Sequence, residues 1–192
     1  MIEKNESSIR KTDRLEKNVG AVHEPKLVKL ICAMTFAEGE NLDRVLVRLE
    51  EAFGPVELRS PVFDFDFTSY YRDEMGERLK KCFVSFRGLI GPDALAKIKR
   101  KTNDLEGQWS VGGKRRVNLD PGYVTGAKLV LASTKDFAHR ISIGEGIYGD
   151  NQLRFMQGRF LPSLWTYPDY KTDLAFSFFH HVRKQAINGE KE

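Results

Sequence analysis

A chain of 192 residues, 41% hydrophobic and with 13 phenylalanines, can bury a core within one large domain without disulfides. Its charged fraction of 30% is that of an ordinary soluble protein. No apolar run approaches the roughly 18–20 residues of a membrane helix, and Met1–Glu6 is too polar for a signal peptide. Cys32 and Cys82 form no C-x-x-C pair, which excludes a disulfide framework and a cysteine metal cage. The expectation is a cytoplasmic protein with no membrane partner.

The net charge of +4 is unevenly spread. Between Lys97 and Arg116 seven cationic side chains face only Asp104 and Glu106. The basic character is therefore a local patch.

Residues 1–25 mix charges and small polar residues without periodicity, and read as a mobile tail. A single domain is expected over 26–187, with a short tail at 188–192. Leu27–Phe36 reads as a strand with Val28, Leu30, Cys32, Met34 and Phe36 on one face. Asn41–Phe53 is an amphipathic helix, capped by Asn41 and stopped by Gly54-Pro55. Val56–Phe67 and Leu79–Ile90 are the second and third strands. Pro92 opens a second helix, with Leu95, Ile98, Thr102 and Leu105 inward and Lys97, Arg100 and Lys101 outward. Arg115–Asp120 is the fourth strand, ending in Asp-Pro-Gly-Tyr, which has the chemistry of a type II turn.

This order, β-α-β-β-α-β, predicts an α+β fold with a ferredoxin-like core, sheet order 4-1-3-2 and both helices on one face. Strands at Lys128–Ser133, Arg140–Ile143 and near Gln152–Met156 are expected to extend the sheet as an antiparallel meander. A helix over about Lys171–Ala186 would cover the remaining sheet face. With strands two and four taken to run the same way, Tyr70, Tyr71 and Glu74 fall beside Asp120 and Tyr123. A flat meander then sends Lys135 and His139 to the far end, unless the chain bends at Gly122 and Gly126.

Several words in the chain are long and unusual: Thr68 through Gly76, Asn118 through Tyr123, Thr134-Lys135-Asp136, His139-Arg140, Gly146-Ile147-Tyr148 and Trp165 through Tyr170. They resemble those of an uncharacterised prokaryotic family of domains of unknown function, some members of which carry the label "GTP-binding protein". The resemblance spans about residues 25–185 and implies no established activity. No G-x-x-x-x-G-K-[ST] loop is present, and Thr134-Lys135-Asp136 lacks the spacing of a guanine-reading N-K-x-D. Where the family has Ala-Glu after the Ile-Tyr word, this chain has Gly149-Asp150, a shorter acid.

Four groupings carry possible chemistry. Lys135, Asp136, His139 and Arg140 combine cations with a histidine beside a carboxylate; they suit anion binding with His139 as acid or base, oriented by Asp136. Tyr70, Tyr71 and Glu74 lie on a connection and offer phenols and a carboxylate, with Glu74 a second acid-base candidate. Asp64 and Asp66, two apart on a strand, are weak candidates for Mg²⁺. The Lys97–Arg116 window, with Trp109 inside it, has the charge of a nucleic-acid surface. The leading expectation is a small anionic or phosphate-bearing ligand held by Arg116, Lys135 and Arg140 and oriented by Tyr70, Tyr71, Asn118, Asp120 and Tyr123, with acid-base or phosphoryl chemistry a possible addition. The alternative is a non-catalytic RNA-binding module using residues 97–116. Cys32 and Cys82 are expected to be buried thiols.

Overall fold

The computed structural model describes residues 20, 22–68 and 70–189. Most of the expected N-terminal tail, Ser69 and residues 190–192 lie outside this set. The chain first forms β1 (Lys29–Ala37), α1 (Leu42–Phe53), β2 (Val56–Arg59), β3 (Phe63–Asp64), a single turn α2 (Arg72–Met75) and β4 (Leu79–Phe86). A 3-10 turn at Pro92–Ala94 runs into α3 (Leu95–Gly107), followed by the small hairpin β5 (Ser110–Val111) and β6 (Lys114–Arg115). Then come β7 (Val117–Val124), β8 (Lys128–Ser133), β9 (Arg140–Gly144), β10 (Ile147–Met156) and β11 (Arg159–Pro162). A second 3-10 turn, Pro168–Lys171, leads into α4 (Asp173–Gly189).

The fold is α+β, built on one large antiparallel sheet of order β11-β10-β8-β7-β1-β4-β2, with β3 on β4 and β9 on β10. All nine residues of β1 are buried, because both sheet faces are covered. On one face Leu30, Cys32, Met34 and Phe36 pack under Val45 and Leu49 of α1 and Leu105 of α3. On the other, Ile31, Ala33 and Phe83 pack under Ala175, Phe178, Phe179 and Val182 of α4. Asn41 caps α1 as expected, its side-chain oxygen accepting from the Arg44 amide at 3.1 Å. Cys32 and Cys82 are buried and unbridged.

The central strands follow the expected order, but their directions differ from the expectation. Because β7, β1, β4 and β2 pair antiparallel in that sequence, β7 runs with β4 and against β2. The exit of β3, near Asp64 and Lys80, thus meets the start of β7, since Phe36 pairs with both Lys80 and Val117. The second strand is broken into β2 and β3 around Pro61, which has no amide hydrogen to donate. Across the break Ser60 Oγ accepts from the Phe83 amide at 2.9 Å, keeping that donor satisfied.

Asp-Pro-Gly-Tyr is not a turn: β7 continues through it to Val124, with Pro121 opposite Cys32. The long-range ladder to β1 overrides the local turn chemistry. Gly122 is required for a different reason, as a Cβ there would lie 2.4 Å from the Val130 carbonyl oxygen and 2.7 Å from Leu131 Cδ2. The backbone reverses instead at Thr125–Lys128, where the Thr125 amide bonds the Lys128 carbonyl at 2.9 Å.

The meander is also corrected. β8 pairs directly with β10, and β9 lies on the outer edge of β10 beside the unexpected β11. Residues 134–139 therefore cross from β8 over the end of β10.

Candidate functional site

β7 and β8 pair at only three positions, from Val124–Leu129 to Gly122–Leu131. In an antiparallel ladder alternate residues aim their backbone groups at one neighbour, and Pro121 belongs to the set aimed at β8. Lacking an amide hydrogen, it cannot donate the next bond, and the two strands separate there. The opened edge of β7 is satisfied by α3. Lys99 Nζ donates to the Leu119 carbonyl at 2.8 Å, and the Leu119 amide donates to Glu106 Oε1 at 2.8 Å. Lys99 and Glu106 have side-chain exposures of 7% and 4%. They reach the cleft because residues 99, 103 and 106 share one helix face.

The cleft opens into a cavity of about 760 Å³, the scale of small-molecule sites. Its lining includes Lys99, Asn103 and Glu106 from α3, Asn118 and Asp120 from β7, and Phe65, Phe67, Thr68, Tyr70 and Tyr71 from the link after β3. Arg115, Lys81, Lys135, Phe137, Arg140, Tyr167 and Asp169 complete the cationic, acidic and aromatic parts of the wall. Tyr70, Tyr71, Asn118, Asp120, Lys135 and Arg140 are thus brought together without any bend, because β8 returns toward the start of β7. Lys135 Nζ lies 3.9 Å from the Tyr70 ring centroid and also contacts its hydroxyl.

Charge in the cavity is extensively paired. Burial alone would raise the Asp120 carboxyl, but the ammonium groups of Lys99 and Lys81 and hydrogen bonds from Lys99 (3.3 Å) and Asn118 (2.7 Å) outweigh it and hold it below the ordinary range. Asp120 keeps 25% of its side-chain surface exposed and lines the cavity. Glu106 is pushed the other way, upward, chiefly by burial, with Lys99, the Leu119 amide and Arg115 opposing it. Arg115 binds Glu74 with two nitrogens, at 2.5 and 2.8 Å, and reaches Glu106 at 2.6 Å and Asn118 at 3.1 Å. Hydrogen bonding from Arg115 lowers the Glu74 carboxyl. Lys81, buried on β4, pairs with buried Asp169 at 2.7 Å and lies 4.7 Å from the centre of the Phe65 ring. Burial pushes the Tyr167 phenol up to about 12 and raises Tyr71 as well, so both remain protonated donors at neutral pH.

Arg140 has a scaffolding position. It donates to Asp150 Oδ2 at 2.7 Å, Ser133 Oγ at 2.8 Å, the Lys135 carbonyl at 2.9 Å and the Tyr167 hydroxyl at 2.7 Å. Asp150 is buried and also accepts from Gln152 Nε2 at 2.7 Å.

The other expected residues stand elsewhere. His139 is off the cavity, sandwiched between Phe137 and Trp165 with ring centroids 6.1 and 5.0 Å away; its Nε2 lies 3.4 Å from Asp150. Asp136 is exposed on the crossing segment and does not line the cavity, so the carboxylate beside His139 is Asp150. Glu74 supports the wall through Arg115. Arg116 turns away to Glu40 at 3.0 Å. Tyr123 packs on the opposite sheet face with Leu95, Ala96 and Val130. Asp64 pairs with Lys80 at 2.5 Å and Asp66 is exposed beyond the end of β3. Among the described residues no three His, Cys, Asp or Glu side chains cluster as a metal site.

The basic window is divided as well. Lys99 is buried, Arg115 and Arg116 are ion-paired, and Trp109 packs against the core. Among the charged and phenolic cavity residues, Lys81, Tyr167 and Asp169 were in no expected site, and Lys99, Glu106 and Arg115 were expected only as part of the basic window.

All these residues fall within positions 26–185, which match the family described as a domain of unknown function, DUF4416. The chain belongs to that family. No curated protein and no solved structure matches it. The DUF4416 region contains the whole cavity wall, from Phe65 to Asp169. None of its described helices is long and apolar enough to cross a membrane.

Proposed function

We propose that the cavity binds a small anionic ligand carrying a carboxylate or phosphate. One observation carries this reading: five cationic side chains and three carboxylates line a single cavity, with aromatic rings among them. Glu74 and Asp150, just behind the lining, pair with Arg115 and Arg140, so the cation left to receive an incoming anion is Lys135, beside the Tyr70 hydroxyl. Binding draws on Lys135, Tyr70, Asn118 and Asp120. Arg140, Arg115 and Glu74 hold the wall in shape. Catalysis is not part of the proposal, because His139 and Asp136 stand off the cavity and Glu74 is engaged by Arg115. The division of the basic window weighs against the RNA-binding alternative.

The test is a thermal-shift screen of carboxylate and phosphate metabolites, with and without Mg²⁺, on the unmodified chain and on Lys135→Ala. A ligand at a hundred times its dissociation constant should add about 2.7 kcal/mol, or roughly 5–11 °C for a chain of this size. The protection should survive 200 mM salt and weaken in Lys135→Ala. RNA held by several phosphate contacts would lose orders of magnitude of affinity between about 50 and 200 mM salt. Absence of protection by every anion tested would refute the proposal.

A further inference from the structure

We propose that the cavity takes a planar aromatic acid or aryl phosphate that also carries a hydroxyl or amino donor, its anionic group at Lys135 and its donor at Asp120. This rests on the anion-binding reading above and names the class of ligand.

Most of the cations that line the cavity are already paired. Arg115 is held in a two-point pair by Glu74, Lys81 by Asp169 and Arg140 by Asp150. Lys135 is different. It is exposed, and the polar side-chain partner it has is the Tyr70 hydroxyl, itself on a residue 59% exposed. An incoming carboxylate or phosphate can accept from both groups, replacing an ion–dipole contact by an ion pair.

Asp120 presents the opposite chemistry. Its Oδ1 accepts from Lys99 at 3.3 Å and its Oδ2 from Asn118 at 2.7 Å, which leaves acceptor capacity on a carboxylate partly open to the cavity. A fixed carboxylate repels the ligand's anion and attracts an O–H or N–H. The cavity is therefore polarised, with an acceptor, Asp120, in the cleft beside β7 and a cation, Lys135, on the segment that follows β8.

A flat ring suits the space between. Tyr70 and Tyr71 meet edge to face, with centroids 4.9 Å apart, on the link that follows β3. Phe137, 53% exposed, and Tyr167 line the cavity from beyond β7. Aromatic rings from both segments line the cavity, and such rings favour a planar aromatic insert over an aliphatic one of equal charge.

The experiment measures dissociation constants by titration calorimetry for seven probes on the full chain: inorganic phosphate, benzoate, 3- and 4-aminobenzoate, phenyl phosphate, and 3- and 4-aminophenyl phosphate. At least one amino isomer should bind ten-fold or more tightly than its donor-free parent, and both parents more tightly than inorganic phosphate. The carboxylate and phosphate arms show which anion is preferred. Asp120→Asn should erase the gain from the amino group, whereas Lys135→Ala should weaken parent and amino compounds by a similar factor. Comparison of the probes on the unmodified chain decides the matter even if Asp120→Asn does not fold. Equal binding of parents and amino compounds would overturn the donor assignment while leaving anion binding intact. Inorganic phosphate binding as tightly as the aryl compounds would overturn the aromatic class. Binding by none of the probes would overturn this class of ligand, and the thermal-shift screen would still decide anion binding separately.

Discussion

Removing the Lys99 ammonium while keeping its length, as in Lys99→Met, tests whether α3 really closes the open edge of β7. The substitution deletes the donor to the Leu119 carbonyl at 2.8 Å and the cation 3.3 Å from Asp120 and 3.9 Å from Glu106. Both Lys99 and Glu106 are more than nine-tenths buried, so water cannot readily replace the lost partner. Breaking a buried pair from one side costs about 3–5 kcal/mol, roughly 6–20 °C in midpoint for a chain of this size. Urea unfolding at pH 7 measures it directly. The pH dependence has a definite sign. Asp120, lowered in the folded state, contributes stability that is present above its unfolded value of about 3.9 and lost as pH falls through the folded value. Glu106, raised in the folded state, opposes stability when ionised, and protonation relieves it as pH falls toward its unfolded value of about 4.3. Without Lys99 the first contribution shrinks and the second penalty grows. The deficit of Lys99→Met should therefore be largest at pH 7 and narrow as pH drops toward 4. A loss under about 1 kcal/mol at pH 7, the worth of an exposed pair, would mean that the cleft is solvated and that Leu119 does not depend on α3.

Gly122→Ala should lose about 1–3 kcal/mol by urea unfolding, because its Cβ would meet the Val130 carbonyl oxygen at 2.4 Å; a neutral result would show that β7 and β8 separate easily. Burial raises both thiols, Cys82 to about 12, so neither should react with a thiol reagent at pH 8 until the chain is unfolded. Replacing Lys97, Arg100 and Lys101 together by alanine should leave anion binding in the cavity within two-fold, since all three are exposed and none lines it; loss of binding in the folded variant would move the site to the outer face of α3.

Much of the fold was legible because its patterns are local. The alternation in β1, the capped amphipathic α1 and the apolar face of α4 follow from period alone. Strand direction was legible too, since the expected order with antiparallel neighbours already sets β7 against β2. Once that is applied, Lys135 reaches Tyr70 without a bend. Pro121 was not legible, because Asp-Pro-Gly is ordinary turn chemistry and only pairing with Cys32, far away in the chain, makes it strand. In the cavity the missed residues left two readable signs. Lys81 shares its strand face with Leu79 and Phe83, a place where a lysine needs an internal partner. Lys99, Asn103 and Glu106 form a polar line beside the buried Thr102 and Leu105, but the neighbouring Lys97, Arg100 and Lys101 made Lys99 look like part of a solvated patch. Asp169, the partner of Lys81, gave no such sign, being the one acid in an aromatic-rich word.

The proline at 121 also bears on where a further strand could add to this sheet. An unpaired run of strand backbone is ordinarily a strip on which another chain can add a strand, and proteins blunt such strips with charge or cover them. Here the strip lies in the middle of a sheet, bordered by β8 and roofed by α3, and its bonding groups at Leu119 are occupied by an ammonium and a carboxylate rather than by peptide groups. Neither of those side chains can be extended by a further strand. The chain thus keeps an opening in its sheet, wide enough for a guest molecule, without offering that opening as a seam for aggregation.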